Sequence, residues 1–180
     1  SVEDWRNVEH DAGAVGVQVI ILVEDNVRYY SSFLPVMYTE LLHHSQRVIA
    51  EGRNLSQKIL RMRARPKILL CTTWEEAERA FERYGAEVLG VISDVEFPRA
   101  GENVKDAGAE LARHVRAAWP DVPIILHSSR PENEDLARRV GANFLLKGSP
   151  LLLQELREVM LHDFGFGDFV FRLPSGREVD

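Results

Sequence analysis

The stretch from Val88 to Pro98, VLGVISDVEFP, is a nearly unbroken apolar run that ends abruptly in a carboxylate, Asp94. Such a run is the pattern of a strand buried on both faces, in the middle of a parallel sheet, and it delivers one acid to the sheet's rim. Pro98 then stops the pattern. Three other runs end in chemistry in the same way: Val17 to Val23 in Glu24 and Asp25, Ile124 to Leu126 in His127 and Ser128, and Phe144 to Leu146 in Lys147. Open parallel sheets bind ligands in the crevice outside the carboxyl ends of their strands. The four strand ends therefore bring carboxylates, a hydroxyl and an ammonium to one place.

With 180 residues, 45% of them hydrophobic, the chain can bury the core of one domain plus additions. The net charge of −6 argues against a nucleic-acid partner, and the local cluster Arg61, Arg63, Arg65 and Lys67 reads as a solvated helix end. The single cysteine, Cys71, excludes an internal disulfide and, inside KILLCTT, reads as a small buried hydrophobe. A cytoplasmic setting fits that. The apolar run near the N-terminus is too short to span a bilayer and ends in acids, so no membrane segment is expected.

Residues 1–16 are polar, contain two glycines, and read as a leader or linker with a short helix around Val2 to Val8 and no chemistry. After the first strand, Asp25 or Asn26 can cap a helix starting at Val27, and helical patterning continues through Pro35 and Gly52 to Ala64. The second strand is Lys67 to Thr72. Thr73 and Glu76 form a capping box for a helix whose apolar face is Ala77, Ala80, Phe81 and Tyr84, and which Gly85 closes. Beyond Pro98, RAGENVKDAG reads as a polar loop before a helix from about Ala109 to Trp119. A short helix with Leu136, Ala137 and Val140 inward ends at Gly141. Ser149 and Pro150 cap and open the last helix, with Leu152, Leu156, Val159 and Met160 facing the core. Residues 163–180 form a tail. That tail and the start at Ser1 suggest a piece of a longer protein with a downstream segment.

Strand and helix alternate five times, which implies a parallel sheet covered by helices on both faces and joined by right-handed crossovers. Glu24 and Asp25 after the first strand, Asp94 with Pro98 four residues on, Ser128 after the fourth strand and Lys147 after the fifth together resemble the receiver domain of bacterial two-component response regulators. The likeness covers residues 17–162. It implies a flavodoxin-like (CheY-like) doubly wound five-stranded parallel sheet of order 2-1-3-4-5, in which strands one and three are neighbours and Glu24, Asp25 and Asp94 converge. More locally, RYYSSFLP and RMRARPKILL resemble receiver-like modules found in front of phosphoenolpyruvate-synthase-related proteins.

Three carboxylates brought together repel unless a cation sits among them, and the small hard ion Mg²⁺ suits one or two carboxylates with waters and phosphate oxygens. Asp94 can then act as a nucleophile on a phosphoryl donor, because the metal neutralises the incoming charge. The resemblance implies that Asp25, Asp94 and the backbone carbonyl of Glu96 ligate Mg²⁺, with Glu24 acting through a bound water. It further implies that Lys147 and Ser128 contact the phosphoryl oxygens and that Phe144 is the switching side chain. The partners it implies are a histidine kinase or phosphotransfer protein and a downstream domain of the same chain. The function is then phosphorylation on Asp94 switching an output, the domain being a signalling device rather than an enzyme. The alternative is a receiver-shaped interaction module that is never phosphorylated.

Duller readings attach to each residue: Asp25 as a helix cap, Ser128 as a turn residue, Lys147 as a solvated strand end, His127 as a packed or surface histidine. Two departures from the receiver pattern stand out. Lys147 is followed by Gly148 rather than proline, so the bond between them is expected trans. Ser129 takes a position where receivers prefer alanine or glycine and narrows access to the phosphoryl group.

The segment from Leu34 to Met62 is long for a receiver. Leu34, Tyr38, Leu41, Ser45, Val48, Gly52, Leu55, Ile59 and Met62 alternate spacings of four and three, the pattern of a heptad seam. An unbroken helix from Val27 to Ala64 would span about 57 Å, whereas a strand of five or six residues covers only about 17–20 Å. The next strand starts at Lys67 at the bottom of the same sheet. The expectation is therefore an extended helical insertion over about 35–65 that reverses at EGRN, its seam closed on itself or against a partner chain such as a second copy in a homodimer. The alternative is an unbroken helix that exchanges strand two between protomers or pairs as a coiled coil.

Overall fold

Strands that are apolar on both faces are stable between two layers of helices, and that constraint places the main sheet and the helices that cover it. The computed structural model describes residues 2–15, 17–50, 65–165, 171–172 and 178–179. Helix α1 (Val2–Val15) leads into β1 (Val19–Val23) and α2 (Val27–Ala50). Then come β2 (Lys67–Cys71), α3 (Trp74–Tyr84), β3 (Val88–Asp94), and a pair of three-residue strands, β4 (Phe97–Arg99) and β5 (Glu102–Val104). The order continues with α4 (Ala107–Ala118), β6 (Ile124–Ser128), α5 (Asn133–Arg139), β7 (Asn143–Leu146) and α6 (Leu152–His162). Two-residue strands β8 (Phe171–Arg172) and β9 (Glu178–Val179) pair in the tail.

The main sheet has the order β2-β1-β3-β6-β7, all parallel, which is the flavodoxin-like order that the receiver resemblance implies. Side-chain parity divides its core in two. Ile20, Leu22, Ile68, Ile92, Ile125 and Leu145 face Phe33, Met37 and Leu41 of α2 and Leu152, Leu156 and Met160 of α6. Val19, Ile21, Val23, Leu69, Val91 and Leu126 face α3, α4 and α5.

The leader is an integral helix. α1 runs twice as far as the short helix expected, and it docks along β2. β2 is an edge strand, whose outward N–H and C=O groups need partners. Asp4, almost wholly buried, accepts from Ile68 N at 3.0 Å and from the Tyr38 hydroxyl at 2.7 Å, and pairs with Arg65 at 3.2 Å. Trp5 Nε1 donates to Leu70 O at 2.9 Å. Two side chains of a helix thus do for the edge what a neighbouring strand would do. Periodicity could not announce this, because both residues are polar at one end.

Other differences have local causes. RAGENVKDAG contains the β4–β5 hairpin rather than an open loop, with Ala100 (φ 52°) and Gly101 (φ 82°) at a turn that needs positive φ at both positions. Strands three residues long leave no alternation to read. The cap at Thr73 is as expected, its Oγ1 accepting from Glu76 N at 3.3 Å, but the Glu76 carboxylate reaches back to Thr72 N (2.6 Å) instead of the capping residue. Gly85 does end α3, yet with ordinary φ (−56°); it is small because any Cβ there would strike Trp119, whose ring stacks on Phe81. The last helix begins at Leu152, two residues after Pro150, with Ser149 Oγ accepting from Leu151 N in the turn before it.

At 24 residues α2 is about 36 Å long, twice the reach of its neighbouring strand. The first half of the heptad seam is used inside the domain: Leu41 and Ser45 are buried, and Leu34 and Tyr38 pack on the α2/α6 core. The expected reversal at EGRN lies outside the described residues.

The edge protection supplies a test. Asp4→Ala leaves Ile68 N without an acceptor and should cost about 2–3 kcal/mol of unfolding free energy, while Asp4→Asn, which keeps an acceptor, should cost less. Urea midpoints would measure both. A loss below about 0.5 kcal/mol for Asp4→Ala would mean that α1 is a passive attachment.

Candidate functional site

All of the chemistry sits at the carboxyl ends of β1, β3, β6 and β7. Leu22 and Glu24 share a side of their strand, as do Ile92 and Asp94, and Leu145 and Lys147, so parity aims the two acids and the lysine into one space. Lys147 Nζ lies 2.5 Å from Asp94 Oδ2 and 2.7 Å from Glu24 Oε2. The contact with Glu24 is at ion-pair distance but off the hydrogen-bonding direction, so Oε2 has no well-directed donor. The Lys147 stem lies beside Tyr29, with the ammonium 4.2 Å from the ring centroid. The bond from Lys147 to Gly148 is trans, as expected.

Each acid is fixed by its backbone. Glu24 Oε1 accepts from Asn26 N at 3.0 Å, and Asp94 Oδ1 accepts from Glu96 N at 3.3 Å. Gly108 N donates to Val95 O at 3.0 Å, drawing α4 against the strand end; a Cβ at Gly108 would come within 2.2 Å of Asp94 O. A side chain there would push α4 off the residue that carries the site.

Burial and charge pull against each other. Glu24 is fully buried beside a second acid, and its carboxyl is pushed up to about 7 despite Lys147. Burial also raises Asp94, against the pull of the lysine. For Lys147, burial favours the neutral amine, but Asp94 and Glu24 outweigh it and hold the ammonium above its ordinary value. With Nζ within 2.7 Å of both acids, the lysine is the charge that persists, and the acids share what is left.

The remaining expected residues stand around this centre. Asp25 is exposed and lines the same cleft; it is not the helix cap, since Asn26 Oδ1 accepts from Arg28 N at 3.0 Å. The Glu96 side chain leans across the mouth, held by Asn103 Nδ2 (2.9 Å) and Arg130 (3.2 Å). Ser128 Oγ accepts from Asn133 Nδ2 at 2.9 Å and Arg130 N at 3.2 Å, so its hydroxyl is held toward α5. Phe144 is half-buried against the α3/α4/α5 core, at a second cleft shared with Pro131 and Val159.

Three residues at the site carried no readable signal. Asn103 depends on the hairpin, and Arg130 and Tyr29 look like ordinary loop and helix residues. His127 is packed, as one of its two expected fates, but against Phe33 edge-on and with Nδ1 3.5 Å from Glu24 Oε2. Burial first, and then Lys147, hold its imidazole neutral.

The raised carboxyl of Glu24 predicts a pH slope. Its folded value of about 7 exceeds the ordinary 4.5, so the native state binds the extra proton and stability falls as pH rises from about 4.5 to 7, then levels. In metal-free buffer Glu24→Gln should flatten the decline between pH 5 and 8 by on the order of 2 kcal/mol, allowing for solvent screening. Denaturation midpoints at the two pH values read this directly, and an unchanged slope would refute it.

No protein-family model matches the sequence, and no curated protein matches it. Solved structures do. A response regulator receiver domain protein from Clostridium thermocellum aligns over 82% of this chain and 94% of its own, with a TM-score of 0.56 at 16% identity. A CheY-like receiver domain protein from Methanospirillum hungatei JF-1 aligns over 82% and 94%, with a TM-score of 0.54 at 15% identity. The BeF3-activated DrrB receiver domain aligns over 82% and 97%, with a TM-score of 0.51 at 17% identity. At identities this low the likeness shows the fold alone, the flavodoxin-like, CheY-like fold of these receiver domains.

Proposed function

We propose that the chain is a phosphoacceptor receiver domain, in which a phosphoryl group carried on Asp94 switches an output. The observation that carries this is the pairing of a buried strand-end aspartate with an ammonium at 2.5 Å and a second acid across it. The donor set fits Mg²⁺: Glu24 keeps a buried oxygen without a directed donor, and Asp25 opens on the same cleft. Asp25, Asp94 and the Glu96 carbonyl would hold the ion, with Glu24 acting through a water. The ion supplies charge neutralisation for the incoming phosphoryl group.

The chain's own residues do the rest. An Asp94 carboxylate oxygen forms the bond to phosphorus while the donor's bond to phosphorus breaks, and the leaving group departs with that electron pair. Lys147 moves from carboxylate to phosphoryl oxygen and keeps the charge balanced. Ser128 leaves Asn133 to donate to another phosphoryl oxygen, and Phe144 follows into the space vacated. Water attack on phosphorus later restores the carboxylate, so the domain is a signalling device with slow self-hydrolysis. Residues 17–162 form the switch, with α1 docked along its edge strand β2. The donor is a histidine kinase or phosphotransfer protein. The net charge of −6 offers nucleic acid no footprint, and no described helix is long and apolar enough to cross a membrane. The setting is cytoplasmic.

Intact mass after incubation with acetyl phosphate and Mg²⁺ tests this. Wild type should gain one phosphoryl group and Asp94→Asn none; absence of uptake in wild type would favour an interaction module that keeps the acids without using them. A second expectation concerns the ion. At ten times its dissociation constant, Mg²⁺ should stabilise the native state by about 1.4 kcal/mol, a shift that Asp25→Ala abolishes. A melting temperature indifferent to millimolar Mg²⁺ would count against the acidic site.

A further inference from the structure

The floor beneath the two carboxylates is a histidine. His127 has no exposed surface, and neither of its ring nitrogens has a hydrogen-bond partner. An imidazole buried in this state loses its hydration without compensation, whereas an apolar residue could pack on Phe33 at no such cost. Its Nδ1 lies 3.5 Å from Glu24 Oε2, too far for a good hydrogen bond. That spacing suits a different relation: two ligand atoms about 2.1 Å from a tetrahedral ion stand about 3.4 Å apart. One ligand atom each from Glu24, Asp94 and His127 lie within 4.8 Å of one another. The Lys147 ammonium already bridges the two acids, so a cation is held at this point.

We propose that His127 is a metal ligand, and that the cleft takes a first-row transition divalent ion, such as Mn²⁺, Co²⁺ or Zn²⁺, through Glu24, Asp94 and the imidazole, in preference to Mg²⁺. The inference deepens the receiver reading and rests on its claim that this cleft binds a divalent ion. Mg²⁺ wants oxygen ligands and its own waters, and gains nothing from a nitrogen. Imidazole suits the transition ions, whose affinity for such a mixed set exceeds that of an ion held by oxygen alone. Neither ring nitrogen of His127 is engaged elsewhere, which leaves one free to ligate. A dication there takes over both carboxylates from the ammonium and frees Lys147 for the cleft, where Asp25 and Asn103 stand at the open side.

The test uses the full chain loaded with one equivalent of Mn²⁺ and labelled with ¹⁵N-histidine. Electron spin-echo modulation should show a directly bound imidazole nitrogen in wild type, and Asp94→Asn should lose it. In parallel, His127→Leu should weaken Co²⁺ binding tenfold or more while moving Mg²⁺ binding no more than about twofold. If His127→Leu does not fold, the wild-type nitrogen signal and its loss in Asp94→Asn decide. Metal binding that depends on Asp94 but shows no nitrogen overturns the role of His127 and leaves the receiver reading standing. A nitrogen signal that survives in Asp94→Asn comes from another histidine and overturns it too. No binding of Mn²⁺, Co²⁺ or Mg²⁺ by wild type defeats both readings.

Discussion

One ammonium holds the functional end of the sheet together. Glu24 and Asp94 leave neighbouring strands, both nearly out of solvent, and two such acids cannot ionise side by side without a cation. Lys147, from the far edge strand β7, reaches both. Three strand ends, β1, β3 and β7, are thereby tied by a charge rather than by packing. The tie is incomplete, since Glu24 holds its proton to about 7. A second positive charge would remove that proton and complete the balance, so the cleft is electrostatically prepared for one.

What the sequence discloses follows the same physics. Strands buried on both faces must be apolar throughout, and an acid that ends such a run has nowhere to point but the rim; Glu24, Asp94 and Lys147 are legible for that reason. Strand order is another matter. Alternation of strand and helix implies a parallel sheet, but the order 2-1-3-4-5 came from the receiver resemblance. The docking of α1 stayed hidden because it depends on two polar side chains meeting a backbone that is distant in sequence, Asp4 on Ile68 and Trp5 on Leu70. Residues across the mouth stayed hidden likewise: Asn103 meets Glu96 only because Ala100 and Gly101 turn the chain back.

The heptad pattern is a case where one signal has two owners. Leu34, Tyr38 and Leu41 fit a coiled-coil seam, and they also fit the apolar face of a helix lying on a sheet, since both repeat near every three and a half residues. The structure gives these residues to the domain's own core. α2 nevertheless runs about twice as far as β1, and its burial against the domain extends to Leu41 and Ser45. The rest of the seam, from Val48 to Met62, falls on residues whose side chains lie outside the described ones.

In the phosphoacceptor reading the site must also move something, and the packing indicates what moves most easily. Ser128 is held by Asn133 at the first residue of α5, a helix of seven residues in which only Ala137 is buried. α4, by contrast, buries six residues and presses Gly108 onto the Asp94 backbone. Local stability follows buried contact, so α5 opens at far lower cost than α4. A hydroxyl that changes partner from Asn133 to a phosphoryl oxygen releases the end of the least anchored helix while the Asp94 backbone stays fixed. In that reading the direction of the signal would be set by packing, toward α5 and β7, where Phe144 lies half-buried, rather than toward α4.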